Sequence, residues 1–259
     1  MNIIDSKTKG SNGKGTVFKH RLSVILPVYN ENSTFQIVIE KLLNKRLDNI
    51  DKEIIIIESN STDGSKDIVK KYERRNGIKI IYEDGPKGKG HAVRNGFKQV
   101  TGDIILIQDA DIEYDIDDYN ILLKPILEGK EEFVLGSRHL GGNGWKIREF
   151  EKNRLLGIIM NVAHQFFTIF FNLLYKQKIK DPTTMYKVFK TECINGIGFE
   201  CNRFDLDWEI VAKLVRKGYK PLEIPINYKS RSFSEGKKIT FIRDPITWFV
   251  AIVKYRFCK

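Results

Sequence analysis

The chain has few of the residues that build metal–thiolate sites and disulfide frameworks. Its 259 residues include four histidines and three cysteines, which are Cys193, Cys201 and Cys258. The cysteines have no paired short spacing and no accompanying histidines, which argues against a zinc site and against a disulfide framework. This cysteine usage fits a reducing compartment, and we therefore expect a cytoplasmic protein.

The sequence also lacks an apolar N-terminal segment and an uninterrupted apolar run of membrane-spanning length. Residues 1–20 are polar and rich in Gly, Ser and Lys, so they do not read as a secretory signal and predict a flexible arm. The most apolar segment, 155–175, is interrupted by polar residues, which disfavours a transmembrane helix. It predicts an amphipathic helix that either packs on the core or lies on a bilayer. Residues 241–259 predict a second, aromatic and basic amphipathic helix.

Acidic residues are outnumbered by basic ones. The chain has 33 Asp and Glu against 44 Lys and Arg, a net charge of +11 and a pI of about 9.4. Such an excess indicates an anionic partner, which could be a nucleoside diphosphate, a nucleic acid or an acidic membrane surface. Because the basic residues are not gathered in an aromatic-interleaved module, we expect no nucleic-acid partner. The length and the 41% hydrophobic content suit one large domain, which we assign to residues 21–240.

Short apolar runs typical of buried strands alternate with segments of helical periodicity. This alternation predicts an α/β fold with a mostly parallel central sheet and helices on both faces. The polar loops that follow parallel strands gather at the carboxyl edge of the sheet, where open α/β sheets bind ligands. The predicted strands begin at residues 22, 53, 78, 104, 132, 185 and 221.

Three acids stand at alternate positions directly after the strand at 104–107, and they are Asp109, Asp111 and Glu113. Alternate residues of an extended chain face the same way, so these carboxylates would share one face. Carboxylate oxygens are suitable ligands for hard divalent cations such as Mg²⁺ or Mn²⁺. The alternative is a polar loop that only ends a strand, and this segment alone does not separate the two.

The acidic motif is one of several motifs that occur in a fixed order. The first four follow successive strands and are Pro27-Val28-Tyr29-Asn30-Glu31, Glu58 with Thr62-Asp63-Gly64-Ser65, Gly88-Lys89-Gly90 and Asp109-Ala110-Asp111. Later in the chain come Gly136-Ser137-Arg138, Asp181-Pro182-Thr183, Glu223-Ile224-Pro225-Ile226 and Arg231 with Gly236-Lys237-Lys238. Over about residues 22–238 the set resembles family 2 glycosyltransferases with the GT-A fold. The later motifs resemble the polyprenyl-phosphate branch, which includes the dolichol-phosphate mannose and glucose synthases.

The resemblance implies a metal-dependent, inverting transfer of a sugar from a UDP- or GDP-linked donor to a polyprenyl phosphate. It implies that Mg²⁺ or Mn²⁺ is bound by Asp109, Asp111 and Glu113. Catalytic roles are implied for Asp111, Arg138 and Asp207. Contacts to the nucleotide sugar are implied for Pro27, Tyr29, Glu31, Glu58, Lys89, Asp109, Ala110, Arg231 and Lys237.

The acceptor decides whether the reaction needs a general base. A phosphate monoester is largely ionised at neutral pH and needs cations instead, which Arg138 would supply with help from Arg154. A hydroxyl of a glycan or glycolipid must lose a proton, and Asp205, Asp207 and Glu209 stand where hydroxyl-directed relatives carry a base. Both acceptors remain open. A nucleotidyltransferase or a protein that only binds sugar nucleotides is a further alternative, although the first strand lacks the Gly-rich start of nucleotidyltransferases. Contact with a membrane and the oligomeric state also remain open.

Overall fold

The structure is a computed structural model that describes residues 19–141, 144, 146–148, 154–231, 240 and 243–258. Of the predicted N-terminal arm, only residues 19 and 20 belong to the described part. The predicted nucleotide-binding residue Lys237 lies outside the described residues.

The described chain alternates between strands and helices, as the apolar periodicity predicts. The strands are β1 (His20–Val28), β2 (Ile50–Glu58), β3 (Ile78–Tyr82), β4 (Ile104–Ile107), β5 (Phe133–Ser137), β6 (Lys187–Lys190) and β7 (Leu222–Pro225). The helices are α1 (Phe35–Asn44), α2 (Ser65–Lys70), α3 (Lys89–Phe97), α4 (Tyr119–Leu127), α5 (Arg154–Tyr175), α6 (Leu206–Arg216) and α7 (Arg243–Phe257).

The strands form one sheet in the order β3-β2-β1-β4-β6-β5-β7. The pairs among β1 to β4 are parallel, whereas β6 is antiparallel to both β4 and β5. The predicted α/β class with a mostly parallel sheet is confirmed, and the antiparallel strand is an addition that the sequence pattern did not predict. Because β4 and β5 both oppose β6, they run in the same direction, and the residues after them emerge at the same edge. The loop before β6 reaches that edge too.

The core lies on both faces of the central strands. Val24, Ile25 and Leu26 are successive residues of β1 and all three are fully buried, which a strand covered on both faces requires. Helix α3 approaches β1 closely at Gly96, where an added Cβ would lie 2.5 Å from Cγ2 of Ile25. Strand β7 lies at one end of the sheet, and its Pro225 fits an edge position because proline cannot donate to a neighbouring strand.

Helix α5 is amphipathic, as predicted. Its inner face buries Asn161, His164 and Phe171 among other residues, and Phe171 packs against Trp208 of α6 with ring centroids 5.6 Å apart. In the described part of the chain, α5 is also the one helix that is long and apolar enough to cross a membrane by length and composition. A third of its most apolar 18-residue window is buried in the protein.

The outer surfaces of α5 and α7 form a continuous apolar area, which we call the outer apolar face. The two helices meet where the rings of Phe170 and Phe249 stack with centroids 5.3 Å apart. The large side chains of this face are 48–75% exposed, far more than core residues. They are Leu155, Ile158, Ile159, Val162, Phe166, Ile169 and Leu173 of α5 and Ile246, Phe249, Val250 and Phe257 of α7.

Candidate active site

A cavity of about 460 Å³ opens at the carboxyl edge of the sheet. It has the size and the mixture of apolar and charged walls that are typical of small-molecule sites. Among the predicted catalytic, nucleotide-binding and metal-binding residues that the structure describes, only Glu58 does not line it. The predicted residues on its walls are Pro27, Tyr29, Glu31, Lys89, Asp109, Ala110, Asp111, Glu113, Arg138, Asp207 and Arg231.

One wall holds a cluster of carboxylates around the guanidinium of Arg231, which we call the acid cluster. Nη1 of Arg231 lies 2.9 Å from Oε2 of Glu31, and Nη2 lies 2.5 Å from Oδ2 of Asp111. The backbone N–H of Arg231 donates to Oε1 of Glu113 over 2.5 Å. These three acids come from the ends of two neighbouring strands, β1 and β4, and they converge on one positive group.

Asp111 has the most buried side chain of the three acids in the acid cluster. Its Oδ1 accepts the backbone N–H of Glu113 over 2.9 Å, which turns the carboxylate into the cavity. Burial, together with the charges of Asp109 and Glu113, raises the pKa of Asp111 to about 7, and Arg231 opposes this shift. The cluster therefore concentrates negative charge that a cation stabilises, and its oxygen-only ligand set fits Mg²⁺ or Mn²⁺.

Asp109 is paired differently from Asp111, because its Oδ1 lies 2.5 Å from Nζ of Lys89. Burial works against the charge of Lys89, but Asp109 and Asp207 raise its pKa above the ordinary value, so it remains an ammonium. Lys89 begins α3 just after Gly88, whose φ of +105° favours glycine. Gly90 permits close packing against the chain, since an added Cβ would lie 2.6 Å from the carbonyl oxygen of Cys201.

Glu58 ends β2 but does not line the cavity. It is fully buried, and its two oxygens accept the backbone N–H groups of Ser61 over 2.7 Å and of Asn60 over 3.1 Å. The next residue, Ser59, reaches the cavity wall instead. Glu58, for which a contact to the nucleotide sugar was predicted, thus holds the loop that follows β2.

Arg138 follows β5, lines the cavity and forms a bidentate pair with Asp181. Nε and Nη2 of Arg138 lie 2.8 and 2.6 Å from the two oxygens of Asp181, and Nη2 also donates to Thr183 over 3.1 Å. Burial alone would raise the pKa of Asp181, but Arg138 holds it well below its usual range. The guanidinium carbon of Arg138 lies 5.2 Å from the ring centre of Tyr228, whose hydroxyl donates to Glu113.

Arg148 is a cavity residue that the sequence analysis missed. Only 7% of it is exposed, and its Nε and Nη1 have no hydrogen-bond partner among the residues that the structure describes. Burial and the nearby charge of Arg138 lower its pKa. Its backbone is fixed by Asn161 of α5, whose amide accepts from the N–H of Arg148 and donates to its carbonyl oxygen. Arg154, which was expected to assist Arg138, is exposed at the start of α5.

Of the three acids considered as a general base, Asp207 alone lines the cavity. Its Oδ1 lies 2.6 Å from Nζ of Lys187, a lysine with no exposed surface. Glu209 is buried, and its Oε2 accepts the backbone N–H of Cys201 over 2.8 Å. Asp205 accepts the N–H of Arg203 in the turn before α6. Glu209 and Asp205 are thus engaged in local structure.

A second group of polar side chains adjoins Arg138. His139, His164 and Asp181 bring possible ligand atoms within 4.8 Å of one another. However, Arg138 already binds both oxygens of Asp181, and Nε2 of His164 lies 2.9 Å from the hydroxyl of Thr183. This arrangement fits a hydrogen-bond network that fixes Arg138 better than it fits a metal site.

Comparisons with known proteins agree with this geometry. The sequence profile of the family described as "Glycosyl transferase family 2" matches residues 23–198. A dolichol-phosphate mannosyltransferase of Pyrococcus furiosus is 27% identical over 222 residues, which cover 84% of this chain and 59% of that protein. The chain therefore spans somewhat more than half the length of this relative.

Two solved structures share the fold. The mannosyltransferase PcManGT from Pyrobaculum calidifontis, in complex with GDP-Man and Mn²⁺, has a TM-score of 0.56 and 20% identity, over 80% of this chain and 55% of that one. Glucosyl-3-phosphoglycerate synthase from Mycobacterium tuberculosis, in complex with Mg²⁺ and UDP, has a TM-score of 0.61 and 14% identity, over 92% and 79%. With the sheet order and the profile match over more than half of its length, the chain belongs to glycosyltransferase family 2 and has the GT-A fold.

Proposed function

We propose that this glycosyltransferase moves a hexosyl group from a UDP- or GDP-linked sugar to a polyprenyl phosphate, with inversion at the anomeric carbon. The observation that carries the proposal is the pair of buried arginines that line the cavity, Arg138 and Arg148. Arg138 is held by Asp181, while Arg148 presents two guanidinium nitrogens that no described residue binds. Guanidinium groups bind phosphate through bidentate, charge-assisted hydrogen bonds. The pair therefore suits a phosphate acceptor.

The donor half of the cavity suits a nucleoside diphosphate. Mg²⁺ or Mn²⁺ would be held there by Asp111 and Glu113, and it would act as a Lewis acid on the departing diphosphate. Lys89 lies beside Asp109 and Arg231 lies beside Asp111, so both can supply positive charge for the phosphate oxygens. These groups stabilise the charge that develops as the glycosidic bond breaks, which is the main task of this half of the site.

The acceptor half of the cavity needs no general base if the acceptor is a phosphate. A phosphate monoester has a second pKa of about 6 and is already an anion at neutral pH. This agrees with the contacts of Asp207, whose Oδ1 lies 2.6 Å from Nζ of Lys187. We assign Asp207 to binding a sugar hydroxyl and Arg138 and Arg148 to orienting the phosphate oxygen that attacks.

The outer apolar face supports a lipid acceptor. Exposed apolar areas of this kind mark interaction sites, and amphipathic helices with basic flanks bind bilayer surfaces. Lys176 and Lys178 are exposed at the end of α5 and suit anionic headgroups. Helix α5 also fixes Arg148 through Asn161, so it joins the outer apolar face to the acceptor wall. We therefore propose a peripheral protein at the cytoplasmic face of a membrane.

Two experiments test these proposals. A panel of labelled UDP- and GDP-sugars is incubated with polyprenyl phosphate or with glycan acceptors, with and without Mg²⁺ or Mn²⁺. We expect metal-dependent transfer to the polyprenyl phosphate, and transfer to hydroxyl acceptors alone would overturn the proposed acceptor. To test membrane contact, Leu173→Glu should weaken co-sedimentation with anionic vesicles, while Ile37→Glu, which changes an exposed apolar residue on α1, should not. Equal binding by both variants would remove the outer apolar face from membrane contact.

A further inference from the structure

The side chain of Tyr228 contacts both a proposed metal ligand and a proposed acceptor arginine. It lies three residues after β7 and lines the cavity. Its hydroxyl donates to Oε2 of Glu113 over 3.2 Å. Its ring centre lies 5.2 Å from the guanidinium carbon of Arg138. Tyr228 therefore links the donor half of the cavity to the acceptor half.

The backbone around Tyr228 is fastened to the segment that carries the acid cluster. The N–H of Lys229 donates to the carbonyl oxygen of Glu113 over 2.9 Å. One residue before Tyr228, the backbone N–H and the side-chain amide of Asn227 donate to the two oxygens of Asp118 over 2.7 and 2.8 Å. These contacts leave Tyr228 little freedom to move relative to Glu113.

The ring of Tyr228 is supported by a second tyrosine. Its centroid lies 5.0 Å from that of Tyr114 at an interplanar angle of 62°, which is an edge-to-face arrangement. Tyr114 is only 6% exposed, and its hydroxyl accepts the backbone N–H of Met185 over 2.9 Å. The ring of Tyr228 is thus a fixed surface next to Arg138, and aromatic rings attract guanidinium groups at this distance.

At neutral pH the hydroxyl of Tyr228 remains a hydrogen-bond donor. Burial, together with the charge of Glu113, raises its pKa above the ordinary value, so it stays protonated. A carboxylate oxygen has two lone pairs, so Glu113 can accept from Tyr228 and bind a cation at the same time. Partners of this kind orient metal-ligating carboxylates, and their loss typically lowers metal affinity by about ten- to a hundred-fold.

We propose that Tyr228 is a positioning residue with two separable tasks. Its hydroxyl holds Glu113 in the orientation that binds the metal, and its ring holds Arg138 in the orientation that binds the acceptor. The inference rests on the proposed function, because it requires a metal at the acid cluster and an acceptor at Arg138. One side chain then sets the relative position of the metal-bound donor and the acceptor.

Two substitutions separate the tasks. Tyr228→Phe removes the hydroxyl and keeps the ring, whereas Tyr228→Leu removes both. Tyr82 also donates its hydroxyl to a glutamate, Glu73, and it does not line the cavity. Tyr82→Phe is therefore the matched control.

The first measurement is calorimetric titration of Mn²⁺ into the full chain saturated with UDP or GDP, whichever the wild-type protein binds. Tyr228→Phe and Tyr228→Leu should both raise the Kd of Mn²⁺ by about ten-fold or more. The second measurement is the KM for polyprenyl phosphate at saturating metal and donor. Tyr228→Leu should raise this KM by about two- to thirty-fold, whereas Tyr228→Phe should leave it unchanged. Tyr82→Phe should change neither quantity.

The outcomes separate this inference from the proposed function. Wild-type affinity for Mn²⁺ in Tyr228→Phe would overturn the task of the hydroxyl, and equal acceptor KM values in Tyr228→Phe and Tyr228→Leu would overturn that of the ring. A wild-type chain that binds neither UDP nor GDP would overturn the proposed donor and this inference with it. If the wild-type protein transfers sugar to hydroxyl acceptors alone, the proposed acceptor and the task of the ring fall together, while the Mn²⁺ titration still decides the task of the hydroxyl. Thermal melts report whether each variant is folded, and Tyr228→Met replaces Tyr228→Leu if the latter is unfolded.

Discussion

Replacing Arg148 with methionine should make the protein more stable and less active. Only 7% of Arg148 is exposed, and its Nε and Nη1 have no hydrogen-bond partner among the described residues. A buried charge in that state costs free energy in the unliganded protein, because water no longer solvates it. In the proposed function, the same two nitrogens bind the acceptor phosphate. Stability and function therefore compete at this residue.

The size of the effect follows from the chemistry of the site. Replacing buried charged groups by apolar residues of similar volume stabilises proteins by about 1–4 kcal/mol. For a chain of this size that corresponds to a rise of roughly 2–7 °C in Tm. Loss of a charge-assisted contact to the acceptor phosphate costs roughly 1.5–3 kcal/mol, which is about ten- to a hundred-fold in kcat/KM for the acceptor.

The assay combines thermal melts without ligand and acceptor kinetics with polyprenyl phosphate, for the wild-type protein, Arg148→Met and Arg154→Met. Arg154 is an exposed arginine a short distance along the chain, and its replacement should change neither quantity. Added polyprenyl phosphate should raise the Tm of the wild-type protein and not that of Arg148→Met. A lower Tm for Arg148→Met with unchanged acceptor kinetics would refute the reasoning, because the guanidinium would then have a structural partner.

Three further predictions concern the metal, pH and the start of α3. Asp111→Asn should abolish turnover and the Mg²⁺-dependent rise in Tm with UDP or GDP. The control Asp117→Asn, which changes an exposed carboxylate, should affect neither. An unaffected rate in Asp111→Asn would remove the metal role assigned to Asp111. Burial lowers the pKa of His164 from its ordinary value of 6.5 to about 4. Between these two pH values the unfolded chain takes up a proton that the folded chain does not. The free energy of unfolding should therefore decrease by roughly 3 kcal/mol as the pH falls from 6.5 to 4. Acid denaturation should be shallower in His164→Gln, and an equally steep profile would contradict this. Gly90→Ala should destabilise by about 1–3 kcal/mol through its clash with the 201–203 backbone, while Gly198→Ala, with open space around it, should be neutral in a urea melt.

Most of the fold was predictable because it depends on local pattern. The aliphatic run of 104–107 and the acids after it mark a buried strand and its carboxyl end wherever the strand lies in the sheet. Strand β6 shows where this reasoning stops, since the apolar pattern of a short strand carries no information on its direction. Its antiparallel course brings Asp181 and Thr183 to the edge where Arg138 emerges.

The candidate site was predictable at motif residues and less so elsewhere. Arg148 lies in a basic, weakly patterned segment, and only its burial and its bond to Asn161 single it out. Glu58 has the carboxylate that the resemblance requires, but its two loop bonds direct it away from the cavity. Sequence indicates which groups are available at an edge. Tertiary packing determines which of these groups already have hydrogen-bond or ion-pair partners within the protein. The groups without such partners are the ones that can bind a ligand.

The guanidinium of Arg231 within the acid cluster has a thermodynamic consequence. Arg231 already neutralises Glu31 and Asp111. A divalent cation that binds without a nucleotide would therefore compete with Arg231 for these carboxylates. A nucleoside diphosphate changes this balance, since its phosphates offer Arg231 new partners and leave the carboxylates to the metal. Metal and nucleotide should therefore bind with positive coupling, and by reciprocity each should raise the affinity of the other by the same factor. The chain's own arginine would thus keep the metal affinity low until the donor arrives.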